Sequence, residues 1–265
     1  MIANVLSIAG TDPTGGAGIQ ADLKTFSALG AYGMSAITAA VAQNTQGVRS
    51  FVALEPNFIA DQIDAVFDDV RVDAVKIGMV ANAGIAVAIA DRLSGRAQCP
   101  IVLDPVMVAK SGDRLLAPDA VTVLRDTLIP LCTLITPNLP EAGDLLQQSE
   151  PKSTQEMRLA LEPLQALGAD WVLLKGGHLD GQNSIDLLHG KGRTCVLEAP
   201  RIVTRNTHGT GCTLSAAITA LLPLMDVPTA VRETKDYLTA ALAAADSLEV
   251  GDGHGPVHHF HAIWN

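Results

Sequence analysis

The chain is short of charge, of aromatic side chains and of cysteine. Charged residues make up 17% and aromatic residues 3% of its 265 positions. A soluble domain usually carries about 25% charged residues. With 48% hydrophobic residues, a disordered main state is excluded. The four cysteines (Cys99, Cys132, Cys195 and Cys212) are far apart and form no CxxC pair. That argues against a disulfide framework and against a zinc site built on cysteine pairs. An excess of positive charge is also missing. Lys and Arg number 18 against 28 Asp and Glu, a net charge of −10. Neutralised phosphates supply most nucleic-acid affinity, so neither nucleic acid nor an anionic membrane is an expected partner. The longest uncharged run, residues 25–48, contains Gly30, Gly33, Gln43, Asn44, Thr45 and Gln46. Such polar groups are costly in lipid, so the run reads as buried strand and loop rather than a membrane span. No basic segment precedes the first apolar stretch, and a cytoplasmic location is expected.

What is present is an alternation of β-like runs and helical patterns. Strands are expected at residues 5–9, 34–41, 74–77, 101–103, 134–136 and 171–175. Helices are expected at 19–29, 58–67, 85–93, 118–128, 157–167 and 211–222, with a last helix from about Pro228. Residues 185–189 and 194–198, separated by Gly190-Lys191-Gly192, read as a β-hairpin. This rhythm implies an α/β fold, a mostly parallel sheet with helices on both faces. No linker or repeat divides it, so a single domain over residues 1–265 is expected. Ligands of such sheets collect at the C-terminal strand ends. Those ends carry residues 10–18, Gln43, Met79, Asp104, 138–141, 175–177 and 207–212.

Two glycine-rich loops stand out. The first, residues 10–18, contains Gly16-Ala17-Gly18-Ile19-Gln20-Ala21, a match to the GxGxxG/A dinucleotide fingerprint. The acid that should hold the ribose is missing, because the next strand runs into Gln43-Asn44. A loop closing over a small substrate is the better reading, with Asp12 as a candidate substrate contact. The GxxxxGK[ST] phosphate loop is absent, since Gly10-x4-Gly15 is followed by Gly16. The second loop is Thr207-His208-Gly209-Thr210-Gly211-Cys212-Thr213, ahead of an apolar helix. Successive backbone N–H groups at a helix start make an anion hole. The same helix end is expected to lower the pKa of Cys212 and favour its thiolate. Asn138-Leu139-Pro140-Glu141 offers two readings, a helix cap or an outer-sphere Mg²⁺ ligand. Asp104 is either part of metal or phosphate electrostatics or a turn residue. Lys175 is either a phosphate contact or a salt-bridge partner. His258-His259-Phe260-His261 lacks metal-ligand spacing and reads as a packed tail.

Taken in order, these segments resemble bacterial hydroxymethylpyrimidine/phosphomethylpyrimidine kinases, of the ribokinase-like superfamily. The resemblance rests on Gly10-Thr11-Asp12-Pro13 with Gly15-Gly16-Ala17-Gly18-Ile19-Gln20-Ala21-Asp22, Lys76-Ile77-Gly78-Met79 and Asp104-Pro105-Val106-Met107. It continues through Lys110-Ser111-Gly112, Thr136-Pro137-Asn138-Leu139-Pro140-Glu141, Lys175-Gly176-Gly177-His178, the second glycine loop and the tail 255–261. It implies a central sheet wrapped by helices and a kinase using ATP and Mg²⁺. The substrate would be 4-amino-5-hydroxymethyl-2-methylpyrimidine and then its monophosphate. Gln43 would hydrogen-bond the pyrimidine, in a pocket of Ala17, Val41, Met79 and Val106. Asn138 and Glu141 would serve Mg²⁺ and phosphate, with Asp104 as a further metal candidate. Gly209, Gly211 and Cys212 would form the anion hole, Lys175 would bind phosphate, and Thr207 and Thr210 would contact ATP. Cys212 would be the base for the hydroxymethyl acceptor. Members of the family are usually dimeric, so a homodimer is expected. Rival readings are a pyridoxal kinase of the same fold, a NAD-dependent oxidoreductase, a thiol acyltransferase using Cys212 and His208, and a non-catalytic binding protein.

Overall fold

The computed structural model describes residues 1–107 and 118–264. Six parallel strands form most of one sheet: β1 (Asn4–Ala9), β2 (Tyr32–Ile37), β5 (Ala74–Ile77), β6 (Ile101–Leu103), β7 (Leu134–Ile135) and β8 (Trp171–Lys175). The hairpin β9 (Asn183–Gly190) and β10 (Arg193–Pro200) joins its edge antiparallel, giving the order β10-β9-β8-β7-β6-β5-β1-β2. Two further strands, β3 (Ala39–Asn44) and β4 (Gly47–Ala53), make a separate hairpin.

The period-2 geometry of a strand decides which helix covers which face. Leu6, Val75, Ile101, Leu103, Val172 and Leu174 point to one side. There they pack on α2 (Pro56–Asp69), α3 (Ala83–Leu93), α4 (Pro118–Val123), α5 (Leu139–Leu146) and α6 (Thr154–Gln165). Val5, Ala74, Val102, Leu134, Trp171 and Leu173 point to the other. They meet α1 (Gly18–Ala28), α7 (Thr210–Leu221) and α8 (Val227–Ala243). Strands buried on both faces explain why β6, β7 and β8 up to Leu174 read as unbroken apolar runs, while β5 carries one buried lysine, Lys76. No described helix is long and apolar enough to cross a membrane.

Three expectations change. The strand expected at 34–41 is two strands belonging to two sheets. At Thr38 the N–H still donates to Ala9 of β1, but the carbonyl accepts from Leu54 beyond β4, so the chain leaves the main sheet there. Strand β4 escaped the sequence reading because residues 49–52 are all exposed and present no apolar face to detect. The helix expected at 118–128 runs as α4 to Val123 and then as a π-helical turn over Leu124–Leu128.

One buried ion pair ties α1 to the sheet. Lys76 of β5 donates to both oxygens of Asp22 at 2.8 and 2.9 Å, and Ser7 of β1 donates to Asp22 at 2.5 Å. Neither Lys76 nor Asp22 is exposed at all. Removing one partner of such a pair strands the other, at a cost of about 3–5 kcal/mol. Lys76→Met is therefore expected to lower the unfolding free energy by that amount in urea titration. A loss below about 1 kcal/mol would show that the pair is not a structural tie.

Candidate functional site

A cavity of about 660 Å³ opens at the C-terminal ends of the parallel strands. Its walls follow the strand order. On the β1–β5 side lie Thr11, Ala17, Val41, Gln43, Met79 and Val106. In the middle lie Asp104 after β6, Glu141 after β7, Lys175 at the end of β8, and Gly209, Gly211 and Cys212 around the start of α7. On the β8–β10 side lie Ala199, Ile202, Leu238 and Leu242, with Asp186 and Lys235. Thr207, Thr210 and Asn138 also line it. The structure thus brings together every residue expected at the site except Asp12. The Lys110-Ser111-Gly112 motif lies outside the described residues.

Lys175 is the centre of the charged part. Its Nζ donates to Asp104 Oδ1 at 2.8 Å and lies 3.9 Å from Glu141 Oε2. Thr136 Oγ1 donates to the same Asp104 oxygen at 3.2 Å. Burial pushes the Asp104 carboxyl up, but Lys175 and Lys76 with these hydrogen bonds outweigh it, and the group ends below its ordinary value. Burial pushes the Lys175 ammonium down, yet Asp104 and Glu141 hold it above its ordinary value. Glu141 is pushed up to about 7, by burial first, with Lys175 opposing. Glu141 also completes a capping box: its Oε2 accepts from the Asn138 N–H at 2.7 Å, while Asn138 Oδ1 accepts from the Glu141 N–H at 2.8 Å. Cap and cavity-wall carboxylate are therefore one and the same feature. Lys175 is both salt-bridge partner and cavity cation.

The start of α7 faces this group. A Cβ added to Gly211 would lie 3.4 Å from both Asp104 Oδ2 and Lys175 Nζ. Gly209, the N-cap, sits at φ +74°, and a Cβ there would lie 1.7 Å from the Gly16 carbonyl oxygen. No other residue fits this approach between the two glycine loops. The glycines that matched a dinucleotide fingerprint have the same explanation: a Cβ on Gly16 would meet His208 at 2.6 Å, and one on Gly18 would meet the Gly10 carbonyl at 2.4 Å.

Two expectations about chemistry are corrected. Asp12 makes no part of the cavity wall, because its carboxylate is spent on its own loop and on His208 of the second. It accepts from Thr14, Gly16 and Ala17, and it pairs with His208. The Cys212 thiol is not lowered by the helix end. Burial pushes it up to about 11, against the pull of Lys76 and a backbone hydrogen bond from Gly18. Desolvation of the thiolate, with the nearby carboxylates of Asp22 and Asp104, outweighs the ammonium of Lys76 here.

Lys76, Asp186 and Lys235 line the cavity and were not singled out from sequence as site residues. Lys235 Nζ donates to Asp186 Oδ2 at 2.6 Å, and Asp186 Oδ1 accepts from the Gly176 N–H at 2.9 Å, which fixes the chain just after Lys175. A signal existed. Lys235 falls on the apolar face of α8 with Val231, Leu238 and Leu242, and a lysine there needs a buried partner. The tail packs as expected: His258 and His259 are buried, and His259 Nε2 lies 3.1 Å from Thr213 Oγ1.

Alkylation of Cys212 by iodoacetamide in the ligand-free protein should rise with a midpoint near pH 11. A midpoint below pH 9 would mean that the helix end wins after all.

The chain matches the family model described as phosphomethylpyrimidine kinase over residues 12–258. It is 58% identical to a hydroxymethylpyrimidine/phosphomethylpyrimidine kinase of Escherichia coli strain K12, covering 98% of each chain. It is 45% identical to one from Streptomyces coelicolor, covering 98% of this chain and 95% of that one. Among solved structures it superimposes on a phosphomethylpyrimidine kinase from Clostridium difficile with a TM-score of 0.80 at 45% identity, covering 91% and 99% of the two chains. An ADP complex of Bacillus subtilis pyridoxal kinase gives a TM-score of 0.92 at 37% identity, with both chains fully covered. The ribokinase-like fold expected from the sequence is the fold observed, and the chain belongs to the phosphomethylpyrimidine kinase family.

Proposed function

We infer that this chain phosphorylates 4-amino-5-hydroxymethyl-2-methylpyrimidine with ATP and then phosphorylates the monophosphate to the diphosphate, in thiamine biosynthesis. The observation that carries the reading is the largely buried ammonium of Lys175, facing the N-terminus of α7 in the middle of the cavity. Phosphoryl transfer is mostly positioning and charge stabilisation. Lys175 and the free N–H groups of Gly211 and Cys212 converge on the place where a transferring phosphoryl group needs them. The β1–β5 side takes the pyrimidine. Gln43 offers both a donor and an acceptor to an aminopyrimidine edge, and Ala17, Val41, Met79 and Val106 pack its ring. Thr207, Thr210 and Asn138 border the ATP phosphates, and the apolar slot of Ile202, Leu238 and Leu242 receives the base.

The donor set suits Mg²⁺, which takes hard oxygens, keeps several waters and uses few carboxylates. Glu141 is that carboxylate, with Asp104 beside it; burial raises Glu141 to about 7, and a neighbouring cation would relieve that. When bound, Mg²⁺ neutralises charge on the β- and γ-phosphates. The NAD-dependent, acyltransferase and binding-protein readings have no observation in their favour. A single domain over residues 1–265 fits one continuous sheet. A homodimer is proposed on the family resemblance.

Cys212 is proposed as a neutral member of the anion hole in both steps. Raised to about 11, it is a poor match for a base at neutral pH, and a loose transition state asks little of one. The test is mass spectrometry of products from Mg-ATP and the hydroxymethylpyrimidine, with wild-type protein and Cys212→Ala. Mono- and then diphosphate are expected, with comparable losses in the two steps for Cys212→Ala, roughly 10- to 100-fold. Turnover of pyridoxal alone would move the substrate. No phosphorylation of either would overturn the kinase. A loss confined to the first step would return Cys212 to the role of base.

A further inference from the structure

Asp12 and His208 stand 196 positions apart, yet His208 Nε2 lies 2.7 Å from Asp12 Oδ2. The Asp12 carboxylate is fully buried and ionised, with His208 and Thr14 holding it down to about 2 against the effect of burial. An ionised carboxylate only accepts, so Nε2 carries the proton of this contact. The same Oδ2 accepts from Gly16 N–H at 3.1 Å and Ala17 N–H at 2.8 Å, and Oδ1 accepts from Thr14 N–H at 2.9 Å and Thr14 Oγ1 at 2.8 Å. One carboxylate thus winds the whole first loop around itself and presents its remaining capacity to the second.

His208 is held from behind as well. Its N–H donates to the Gly255 carbonyl at 3.0 Å, and its ring packs so closely on Gly16 that a Cβ there would stand 2.6 Å from Cδ2. One more contact joins the same loops, Gly209 against the Gly16 carbonyl. The first loop supplies Thr11, Ala17 and Gly18 to the acceptor side of the cavity, and the second supplies Gly209, Gly211 and Cys212 to its middle. Of these joins, only the Asp12–His208 contact is made by two side chains. It is also charge-assisted and the strongest kind of hydrogen bond available here.

We propose that His208 is a positioning residue: its ring N–H, by holding Asp12, fixes the acceptor-side loop against the start of α7, so that acceptor oxygen and transferring phosphoryl group meet in line. The role rests on the kinase reading above. A misplacement of about 1 Å in such a pair costs on the order of 100-fold in rate. His208 borders the cavity between Thr207 and Gly209, but its hydrogen bonds run to Asp12 and to the Gly255 carbonyl rather than toward either ligand, so the effect belongs mainly in kcat rather than KM.

The test compares His208→Ala and His208→Gln with wild type, the glutamine placing an amide N–H at about the reach of the imidazole. Steady-state kinetics should give kcat lower by roughly 10- to 100-fold for His208→Ala, both KM values within about threefold, and substantial recovery in His208→Gln. Amide exchange in the same samples should quicken in residues 10–18 and 207–213 for His208→Ala only. An unchanged kcat in His208→Ala, equal losses in both variants, or a change in KM alone would overturn the proposal. If His208→Ala does not fold, His208→Leu takes its place. If neither folds while His208→Gln is active, the contact serves stability alone, which also overturns it. Wild-type protein that turns over no substrate would remove the kinase reading. The exchange data would then stand as the separate measure: no quickening in His208→Ala would mean that the two loops are not joined through this contact.

Discussion

Everything at the cavity is arranged around one ammonium group held away from water. Lys175 is 14% exposed and lies between Asp104, 2% exposed, and Glu141, 7% exposed. A buried cation is tolerated only with partners, and its partners here come from the ends of two different strands. The neighbouring ends of β6, β7 and β8 in a parallel sheet are what bring an aspartate, a glutamate and a lysine together from positions up to 71 apart. The ion pair does not need to add net stability to matter. It fixes a positive charge opposite the start of α7, where the backbone adds its own partial positive charge.

The second constraint is closeness of backbone. Gly16 and Gly209 approach so tightly that any side chain on Gly209 would collide with the Gly16 carbonyl. The two glycine loops therefore form one continuous lining, from the apolar side at Ala17 to the charged middle of the cavity at Gly211. Asp12 stabilises the first loop from within, which is why an acid with no access to the cavity sits in the same motif as residues that line it. The hairpin β3–β4 leaves the main sheet at Thr38 and carries Val41 and Gln43 to the β1–β5 side of the cavity. Residues 251–254 hold its tip, where His254 N–H donates to the Thr45 carbonyl at 2.8 Å and Gly253 N–H to Thr45 Oγ1 at 3.1 Å.

Much of this was legible in the sequence, and for a physical reason. Strands covered on both faces leave unbroken apolar runs, and the polar residue that ends each run marks the cavity edge; Asp104 and Lys175 were found this way. The glycine loops announced a close approach, though not which loop approached which. What sequence could not supply was the pairing across the fold. Asp12 looked like a ligand contact because its partner His208 lies in a distant segment. Lys76 looked like one more residue of a buried strand, since the partner that makes it a charged tie, Asp22, sits on α1. Cys212 was misjudged in sign because a helix terminus is visible in sequence, whereas the desolvation and the carboxylates that raise the thiol depend on what packs around it. Strand β4 was missed because its exposed middle carries no apolar alternation.

In the proposed function the terminal phosphate of ATP sits between Lys175 and the start of α7, with the pyrimidine on the Gln43 side of the same cavity. A crystal structure with a non-hydrolysable ATP analogue, Mg²⁺ and the hydroxymethylpyrimidine tests it most directly. The γ-phosphate is expected within hydrogen-bonding distance of the Lys175 Nζ and of the Gly211 or Cys212 N–H, with the hydroxymethyl oxygen in line and Gln43 on the ring edge. A γ-phosphate held elsewhere, with Lys175 still closed on Asp104 and α7 bare, would contradict it.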